Sequence, residues 1–176
     1  YDFIDLLTKG ESMFIGNRED LANHLDWIGI NYYSRLVVEP ASSGMGFKEI
    51  DGYGLHCSPN GISKAGRECS DFGWEIYPEG MKKVIIDTWK RYAKPMLITE
   101  NGIADAEDRY RSKYLVSHIQ HAQRAYELGA DLRGYLHWAL VDNYEWAQGF
   151  KMRFGLCHVD YETKKRYLRP SALIFK

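Results

Sequence analysis

Residues 92–105 read YAKPMLITENGIAD, and this stretch decides how the surrounding chain is interpreted. Pro95 ends a helical pattern, an apolar run follows, and Glu100 and Asn101 stand where that run stops. A short apolar run of this kind predicts a buried strand, here over residues 95–100. A carboxylate at such a strand end either closes a loop through hydrogen bonds or takes part in chemistry. The remainder of the sequence has to distinguish these two roles.

Strands and helices alternate on both sides of this stretch. Two further strands are predicted by LDWIGINYY at 25–33 and LRGYLHWAL at 132–140. Helices are predicted for 78–94, beginning at a proline, and for 110–131, with a glycine as carboxyl-terminal cap. Their apolar stripes at helical spacing are Met81, Val84, Ile85, Trp89 and Tyr92 in the first helix, and Leu115, His118, Ile119, Ala122 and Tyr126 in the second.

Two other segments interrupt or follow this alternation. Residues 40–73 are rich in Gly and Ser and lack a sustained period, which predicts a long loop or insertion. Residues 154–170 alternate about a turn at 162–164 and predict an antiparallel hairpin. The order is therefore that of an α/β protein with a parallel sheet built from crossovers, an insertion and a carboxyl-terminal hairpin. We interpret residues 1–176 as a single partial domain.

The composition narrows the classes of function. Aromatic residues reach 14%, and many of the 13 Tyr, 7 Phe and 5 Trp lie beside Gly, Asn, Asp or Glu. Flat rings next to polar groups suit sugar binding, although aromatics are also ordinary core residues. A formal net charge of -1 gives no positive electrostatic potential that would attract a polyanion, so a nucleic-acid partner is not expected.

Cysteine usage and hydropathy indicate the compartment. Cys57, Cys69 and Cys157 are odd in number and widely spaced, which predicts reduced thiols rather than a disulfide framework or a zinc site. No apolar run is long enough for a membrane span, and the amino-terminal YDFIDLLTKGE lacks the charged and apolar regions of a signal peptide. We expect a cytoplasmic protein with no membrane partner, no metal and no cofactor.

Polar and aromatic residues gather at the predicted strand ends. Asn31 and Tyr33 end the first strand, Glu100 the second, and His137 and Trp138 the third. Ligands of parallel sheets and barrels meet the carboxyl ends of the strands, so these residues are expected to converge. A carboxylate nucleophile, a phenol to orient it and stacked tryptophans are what a glycosidase needs.

Four stretches, in this order and spacing, resemble the family one glycoside hydrolases, retaining β-glycosidases on a (β/α)8 barrel. They are most similar to the archaeal branch of β-glucosidases and β-galactosidases. The resemblance covers nearly the whole chain and implies that it supplies about strands six to eight of a TIM barrel. The stretches are DWIGINYYSR (26–35), CSDFGWEIYPEG (69–80), LITENGIAD (97–105) and GYLHWALVDNYEWAQGFKMRFGL (134–156).

The resemblance implies the roles of the residues closest to the reaction. Glu100, in the TENG motif, matches the nucleophile, which forms a glycosyl-enzyme intermediate that water hydrolyses with retention. Tyr33 would donate a hydrogen bond to that nucleophile, and Asn31 would support the same subsite. Trp138 matches the ring beneath the sugar. The implied substrate is a small β-glycoside with a terminal non-reducing glucose, galactose or fucose.

Five further residues are implied to contact the substrate. Glu145 and Trp146, in NYEWA, match the pair that binds the outer sugar hydroxyls. Trp74 would line the leaving-group side, while Met152 and Phe154 would close the pocket. Met152 lies where members that act on phosphorylated sugars present polar groups, which favours an unphosphorylated glycoside.

The sequence also departs from the family pattern. The general acid/base of the family is a Glu in an Asn-Glu-Pro motif, and this motif does not occur here. Ala139 stands where a Ser is common. The expected partner is therefore an amino-terminal barrel portion, and the isolated chain is expected to be inactive; the full-length form is compatible with a homo-oligomer. Two alternatives remain open: a non-catalytic sugar-binding module, and a degraded product without a role.

Overall fold

The computed structural model describes residues 24–42 and 44–176. The amino-terminal stretch discussed above lies outside the described residues. The secondary structure follows the predicted alternation, with these bounds: β1 (Ile28–Asn31), β2 (Val38–Pro40), β3 (Phe47–Glu49), α1 (Pro78–Tyr92), β4 (Met96–Glu100), α2 (Arg111–Glu127), β5 (Leu132–Tyr135), a 3-10 turn (Trp146–Gln148), β6 (Cys157–Val159), β7 (Arg166–Leu168) and α3 (Pro170–Phe175).

The three predicted sheet strands form one parallel sheet in the order β1-β4-β5. In β1, Ile30 pairs with Ile98, and a shift in register then places Asn31 opposite Glu100. Beyond the ladder, the Tyr32 N–H donates to the Glu100 carbonyl at 2.9 Å. This extra bond keeps the segments that follow β1 and β4 adjacent as they leave the sheet, so the residues at the carboxyl ends of the two strands remain neighbours.

The helices pack on one face of the sheet and bury it. Met96 and Ile98 of β4 point into this core and are 1% and 0% exposed, and they meet Met81 and Ile85 of α1. A strand points alternate side chains to opposite faces, and the intervening β4 residues are only partly buried. The described core is therefore one-sided, as expected for a section of a barrel wall.

Strand β1 is less buried than the sequence predicts. Only Ile30 of its four residues is buried, and the strand is shorter than the predicted 25–33. The physical reason is that the helices cover one face, whereas the other face and the outer edge of β1 have no neighbour among the described residues. Strand β5 is likewise shorter than predicted and ends at Tyr135, although the Leu136 and Trp138 N–H groups still donate to the Ile98 and Asn101 carbonyls.

The predicted helix positions are confirmed, but the predicted burial of two residues in the apolar stripes is wrong. Tyr92 is 50% exposed and Tyr126 is 60% exposed. Helix α1 ends at Tyr92, where Ala93 adopts a left-handed conformation and turns the chain toward Pro95. In α2 the buried face differs from the predicted one. It comprises Arg111, Tyr114, Leu115, His118, Ala122 and Ala125.

The predicted insertion contains more structure than a loop. It includes the antiparallel hairpin of β2 and β3, which the sequence did not indicate, followed by a series of turns with two isolated bridges. The predicted hairpin at 154–170 is confirmed as β6 and β7. Within the described part of the chain, every helix is too short or too polar to span a bilayer.

Candidate active site

The carboxyl ends of β1 and β4 hold a phenol against a carboxylate. The Tyr33 hydroxyl donates to Glu100 Oε2 at 2.7 Å, although the two residues are 67 positions apart. Both residues are half-buried. Burial, and then the bond to Glu100, raise the pKa of Tyr33 well above its usual value, and the Glu145 carboxylate acts in the same direction. Tyr33 therefore remains a protonated donor to Glu100 at neutral pH.

A buried amide beside Glu100 joins the ends of all three strands. Asn101 is 0% exposed, and its Nδ2 donates to the Tyr32 carbonyl at 2.6 Å and to the Tyr114 hydroxyl at 2.8 Å. Its Oδ1 accepts from the Tyr135 hydroxyl at 2.6 Å. Because each polar atom of the amide has a partner, Asn101 holds the end of β4 in a single position relative to β1 and β5.

Helix α2 supports Tyr33 from behind. The Tyr114 hydroxyl donates to the Tyr33 carbonyl at 3.2 Å while it accepts from Asn101. Tyr114 is 2% exposed, and its ring stacks on His118 with ring centroids 3.8 Å apart. The backbone of Tyr33 and the side chain of Asn101 are thus tied to one buried phenol.

Position 102, directly after Asn101, is a glycine because the segment that follows β5 comes very close to it. A Cβ on Gly102 would collide with the Trp138 carbonyl oxygen, and the Trp138 N–H donates to the Asn101 carbonyl at 2.9 Å. The Trp138–Ala139 peptide bond is cis. Glycine is therefore required at position 102 because another backbone segment approaches it closely, and not because the chain turns there.

Aromatic rings line one side of the Tyr33–Glu100 pair. Trp74 lies edge-on to Tyr33 with ring centroids 5.6 Å apart, and Phe154 lies 6.1 Å from Tyr33 in the same kind of arrangement. Phe72 stacks on Trp74 at 4.4 Å. The structure thus places Trp74 and Phe154 beside Tyr33, and it adds Phe72, which was not anticipated.

An ion pair anchors the segment that carries Trp74. Glu75 is 1% exposed, and Arg35 binds its carboxylate through Nε at 2.6 Å and through the guanidinium terminus at 3.3 Å. Although burial opposes it, Arg35 and then the Ser63 hydroxyl hold the pKa of Glu75 below its usual range. The Ser34 hydroxyl also donates to the Glu75 carbonyl. Trp74 is therefore fixed to the segment that follows Tyr33.

The third strand end brings Trp138 to Glu145. The Trp138 indole N–H donates to Glu145 Oε2 at 3.4 Å, which matches the predicted neighbourhood of the two residues. Asn31 is exposed, and its Oδ1 accepts from the Thr99 hydroxyl at 2.6 Å. Asn31 is thus held beside β4, at the register position opposite Glu100.

Two predicted site residues stand apart from this cluster. Trp146 is 78% exposed and opens the 3-10 turn, so its indole is not packed against the rings around Tyr33. Met152 is partly buried, and the structure shows no polar or ring contact that ties it to Glu100. Their roles stay predictions.

Three supporting residues were assigned no role from the sequence: Asn101, Tyr114 and Tyr135. A weak signal existed for Asn101, since it is the polar residue within the otherwise small or apolar run that follows β4. Tyr114 lies on the inner stripe of α2, but a tyrosine there is equally typical of a packed core. No three His, Cys, Asp or Glu side chains of residues 24–42 and 44–176 converge to form a metal site.

Fold and site together define the class of protein. Three consecutive parallel strands with helices on one face, and a carboxylate, a phenol and indoles at their carboxyl ends, are the wall and rim of a (β/α)8 barrel. The chain belongs to glycosyl hydrolase family 1, whose model matches residues 9–176.

Similar proteins agree with this assignment. A β-galactosidase of Sulfolobus acidocaldarius is 53% identical over 178 residues, which cover 100% of this chain and 36% of that protein. The crystal structure of the β-glycosidase of Thermosphaera aggregans matches with a TM-score of 0.87 at 51% identity, over 98% of this chain and 36% of that one. A β-glucosidase mutant derived from a hyperthermophilic tetrameric structure matches with a TM-score of 0.81 at 59% identity, over 86% and 32%.

The chain thus spans about a third of the length of the relatives it matches. The predicted family and the predicted barrel section are confirmed. The roles of the individual site residues are proposed below.

Proposed function

We propose that the complete protein hydrolyses terminal β-D-glycosides from the non-reducing end with retention, and that Glu100 is its nucleophile. The observation that carries this proposal is the 2.7 Å hydrogen bond from the Tyr33 hydroxyl to Glu100 Oε2 at adjacent strand ends. This bond engages Oε2 of the half-buried carboxylate, and we assign the other oxygen, Oε1, to the attack at the rim where barrel enzymes bind substrates.

The first step uses the free oxygen of this carboxylate. Glu100 Oε1 attacks the anomeric carbon, the bond to the leaving oxygen breaks, and a glycosyl ester of Glu100 forms. Tyr33 holds the carboxylate at Oε2 and prevents it from rotating away. Water then attacks the same carbon and releases the sugar, so two inversions give net retention.

The aromatic residues would position the sugar for this attack. Trp138 provides a flat apolar surface beneath the ring, and Glu145 accepts hydrogen bonds from its outer hydroxyls together with Trp146. Trp74 and Phe154 flank Tyr33. Trp74 would line the leaving-group side of the pocket, and Phe154 would help to close the pocket. Asn31 and Met152 complete the pocket in the proposal; the apolar Met152 favours an unphosphorylated glycoside.

The general acid/base is proposed to come from the portion of the relatives that this chain does not span. The chain contains no Asn-Glu-Pro sequence, and general acid–base catalysis contributes about 10² to 10⁴ in rate. We therefore expect the 176 residues alone to leave ordinary glycosides intact. Glucosides, galactosides and fucosides are the proposed substrates, since similar proteins are named β-galactosidase and β-glucosidase. The tetrameric neighbour supports a homo-oligomer of the complete form.

A covalent trap tests the nucleophile without the missing acid. In a dinitrophenyl fluoroglycoside the leaving group departs without protonation, and the fluorine slows hydrolysis of the ester. The chain, alone and mixed with the amino-terminal portion of the Sulfolobus relative, would be incubated with this reagent. Peptide mass spectrometry should find one added fluoroglycosyl group on the peptide that contains Glu100.

Matched variants separate chemistry from adventitious labelling. Glu100→Gln should abolish the label, whereas Glu107→Gln, a change at a carboxylate whose side chain is 73% exposed in the following loop, should leave it unchanged. A label that survives Glu100→Gln would refute the nucleophile assignment. Quenching of tryptophan fluorescence by sugar with no label in any mixture would instead favour the non-catalytic sugar-binding module.

A further inference from the structure

Two of the three cysteines, Cys57 and Cys69, lie close to the segment that carries Trp74: Cys57 borders Gly54, and Cys69 borders Glu75, whose N–H is bonded to Gly54. After burial, each of the two thiols is the next influence on the pKa of the other, although the residues belong to different turns of the insertion. Cys69 is 0% exposed, whereas Cys57 is partly exposed. Cys157 lies separately, in β6. The odd and widely spaced cysteines of the sequence thus include one spatial pair.

The backbone around this pair forms a small closed frame. Cys69 pairs in an antiparallel bridge with Glu75, and the Glu75 N–H donates to the Gly54 carbonyl at 2.8 Å. The Cys57 thiol approaches the same Gly54 carbonyl at 3.8 Å, and the Cys57 N–H donates to the Gly73 carbonyl at 3.1 Å. The two cysteines thus border two residues, Gly54 and Glu75, that are themselves hydrogen-bonded to each other.

We propose that Cys57 and Cys69 are a dithiol site that reacts with low-molecular-weight disulfides, such as oxidised glutathione, to form an intramolecular disulfide that closes residues 57–69. This site lies outside the Glu100–Tyr33 pair, and it does not depend on the proposed hydrolysis.

The reaction proceeds by two exchanges. The Cys57 thiolate attacks one sulfur of the oxidised glutathione and expels one glutathione thiolate, which leaves a mixed disulfide on Cys57. Cys69 then loses its proton to solvent, attacks the Cys57 sulfur and expels the second glutathione. Two protein thiols are oxidised and one disulfide is reduced to two thiols, so electrons and protons balance.

Exposure assigns the order of these exchanges. Within the pair, the reagent reaches the partly exposed Cys57 and not the buried Cys69. Burial raises the pKa of the Cys57 thiol, and it raises that of Cys69 to about 12. Both thiols are mainly protonated at neutral pH, so the exchange should be slow there and should accelerate under mildly alkaline conditions.

The disulfide would constrain the frame from which Trp74 projects. The Ser70 N–H donates to the Trp74 carbonyl at 2.9 Å, and the Ser70 carbonyl accepts from the Asn60 N–H at 2.9 Å. A cross-link between Cys57 and Cys69 thus joins the two segments that these bonds already hold together. Local opening of the insertion should become rarer in the oxidised form.

Peptide mapping of the full chain tests the proposal. The chain is equilibrated at mildly alkaline pH in a series of oxidised and reduced glutathione mixtures, alkylated, and digested without reduction. Mass spectrometry should show the Cys57 and Cys69 peptides linked, with two hydrogens fewer than the separate thiols, and Cys157 alkylated. Limited proteolysis within residues 40–73 should be at least about tenfold slower after oxidation.

Matched serine variants decide the pairing. Cys57→Ser should abolish the link, and Cys157→Ser should leave it intact; Cys57→Ala provides a second variant that spares the buried Cys69. The proposal is overturned if Cys57 and Cys69 remain fully alkylated across the series, or if Cys57 stops at the glutathione adduct. A link from Cys57 to Cys157, or an oxidised form that is cleaved as fast as the reduced one, would also overturn it.

Discussion

Replacing Asn101 by alanine should destabilise the fold far more than the loss of one amide would suggest. The substitution removes three hydrogen bonds at 2.6–2.8 Å, of which two are buried and the one from Tyr135 is partly buried. Tyr114 keeps a partner in the Tyr33 carbonyl. The Tyr135 hydroxyl and the Tyr32 carbonyl lose the bonds that the amide made, and each buried polar group without a partner costs about 1–3 kcal/mol. The expected loss in free energy of unfolding is therefore about 2–6 kcal/mol.

Urea unfolding followed by tryptophan fluorescence and circular dichroism measures this loss. Asn143→Ala is the matched control, because that amide is only partly buried and makes one long contact, 3.4 Å to the Val141 carbonyl. It should cost less than about 1 kcal/mol. Tyr135→Phe combined with Asn101→Ala should cost less than the sum of the single changes, since both remove the same bond. Equal losses for Asn101→Ala and Asn143→Ala would refute the role of Asn101 as the buried link between the strand ends.

Two further perturbations test the packing around the site. Burial lowers the pKa of His118 from 6.5 to about 4 against the opposing bond to the Tyr114 carbonyl, so the unfolded chain binds the proton first. Above pH 6.5 this contribution to the free energy of unfolding is complete, and about 3 kcal/mol of it is lost as the pH falls toward 4. His118→Gln should therefore flatten that part of the profile of stability against pH. An unchanged profile would contradict the burial argument. Arg35→Ala should cost about 3–5 kcal/mol because it leaves the buried Glu75 carboxylate without its cation. Adding Glu75→Gln should restore part of the loss in thermal and urea unfolding, and a double variant no more stable than the single one would count against the ion pair.

The order of helices and strands was predictable because its signals are local. Pro78 and Pro95 mark helix boundaries, and the apolar run before Glu100 has the length of a strand. The errors fall where packing overrides periodicity. Tyr92 and Tyr126 continue a helical stripe in sequence, but they lie beyond the area that the sheet covers and are exposed.

Part of the candidate site was also predictable. TENG and the aromatic motifs indicate the family, and a parallel sheet brings successive strand ends to one rim. The rule brings Tyr33 and Glu100 to the same rim, and the resemblance to the family implied the hydrogen bond between them. The rule does not predict that Trp146 is exposed, since an exposed and a buried indole have the same local sequence signal.

The sequence by itself determined the family, the alternation of strands and helices, and the carboxylate expected to react. These properties depend on residue types within short windows and on motifs in a fixed order. Only the tertiary structure decided that Asn101 joins three strand ends and that Cys57 and Cys69 border the hydrogen-bonded residues Gly54 and Glu75. Such contacts depend on the path of the backbone between residues far apart in the chain, and a buried hydrogen bond or a thiol pair exists only when that path brings the partners within a few ångströms.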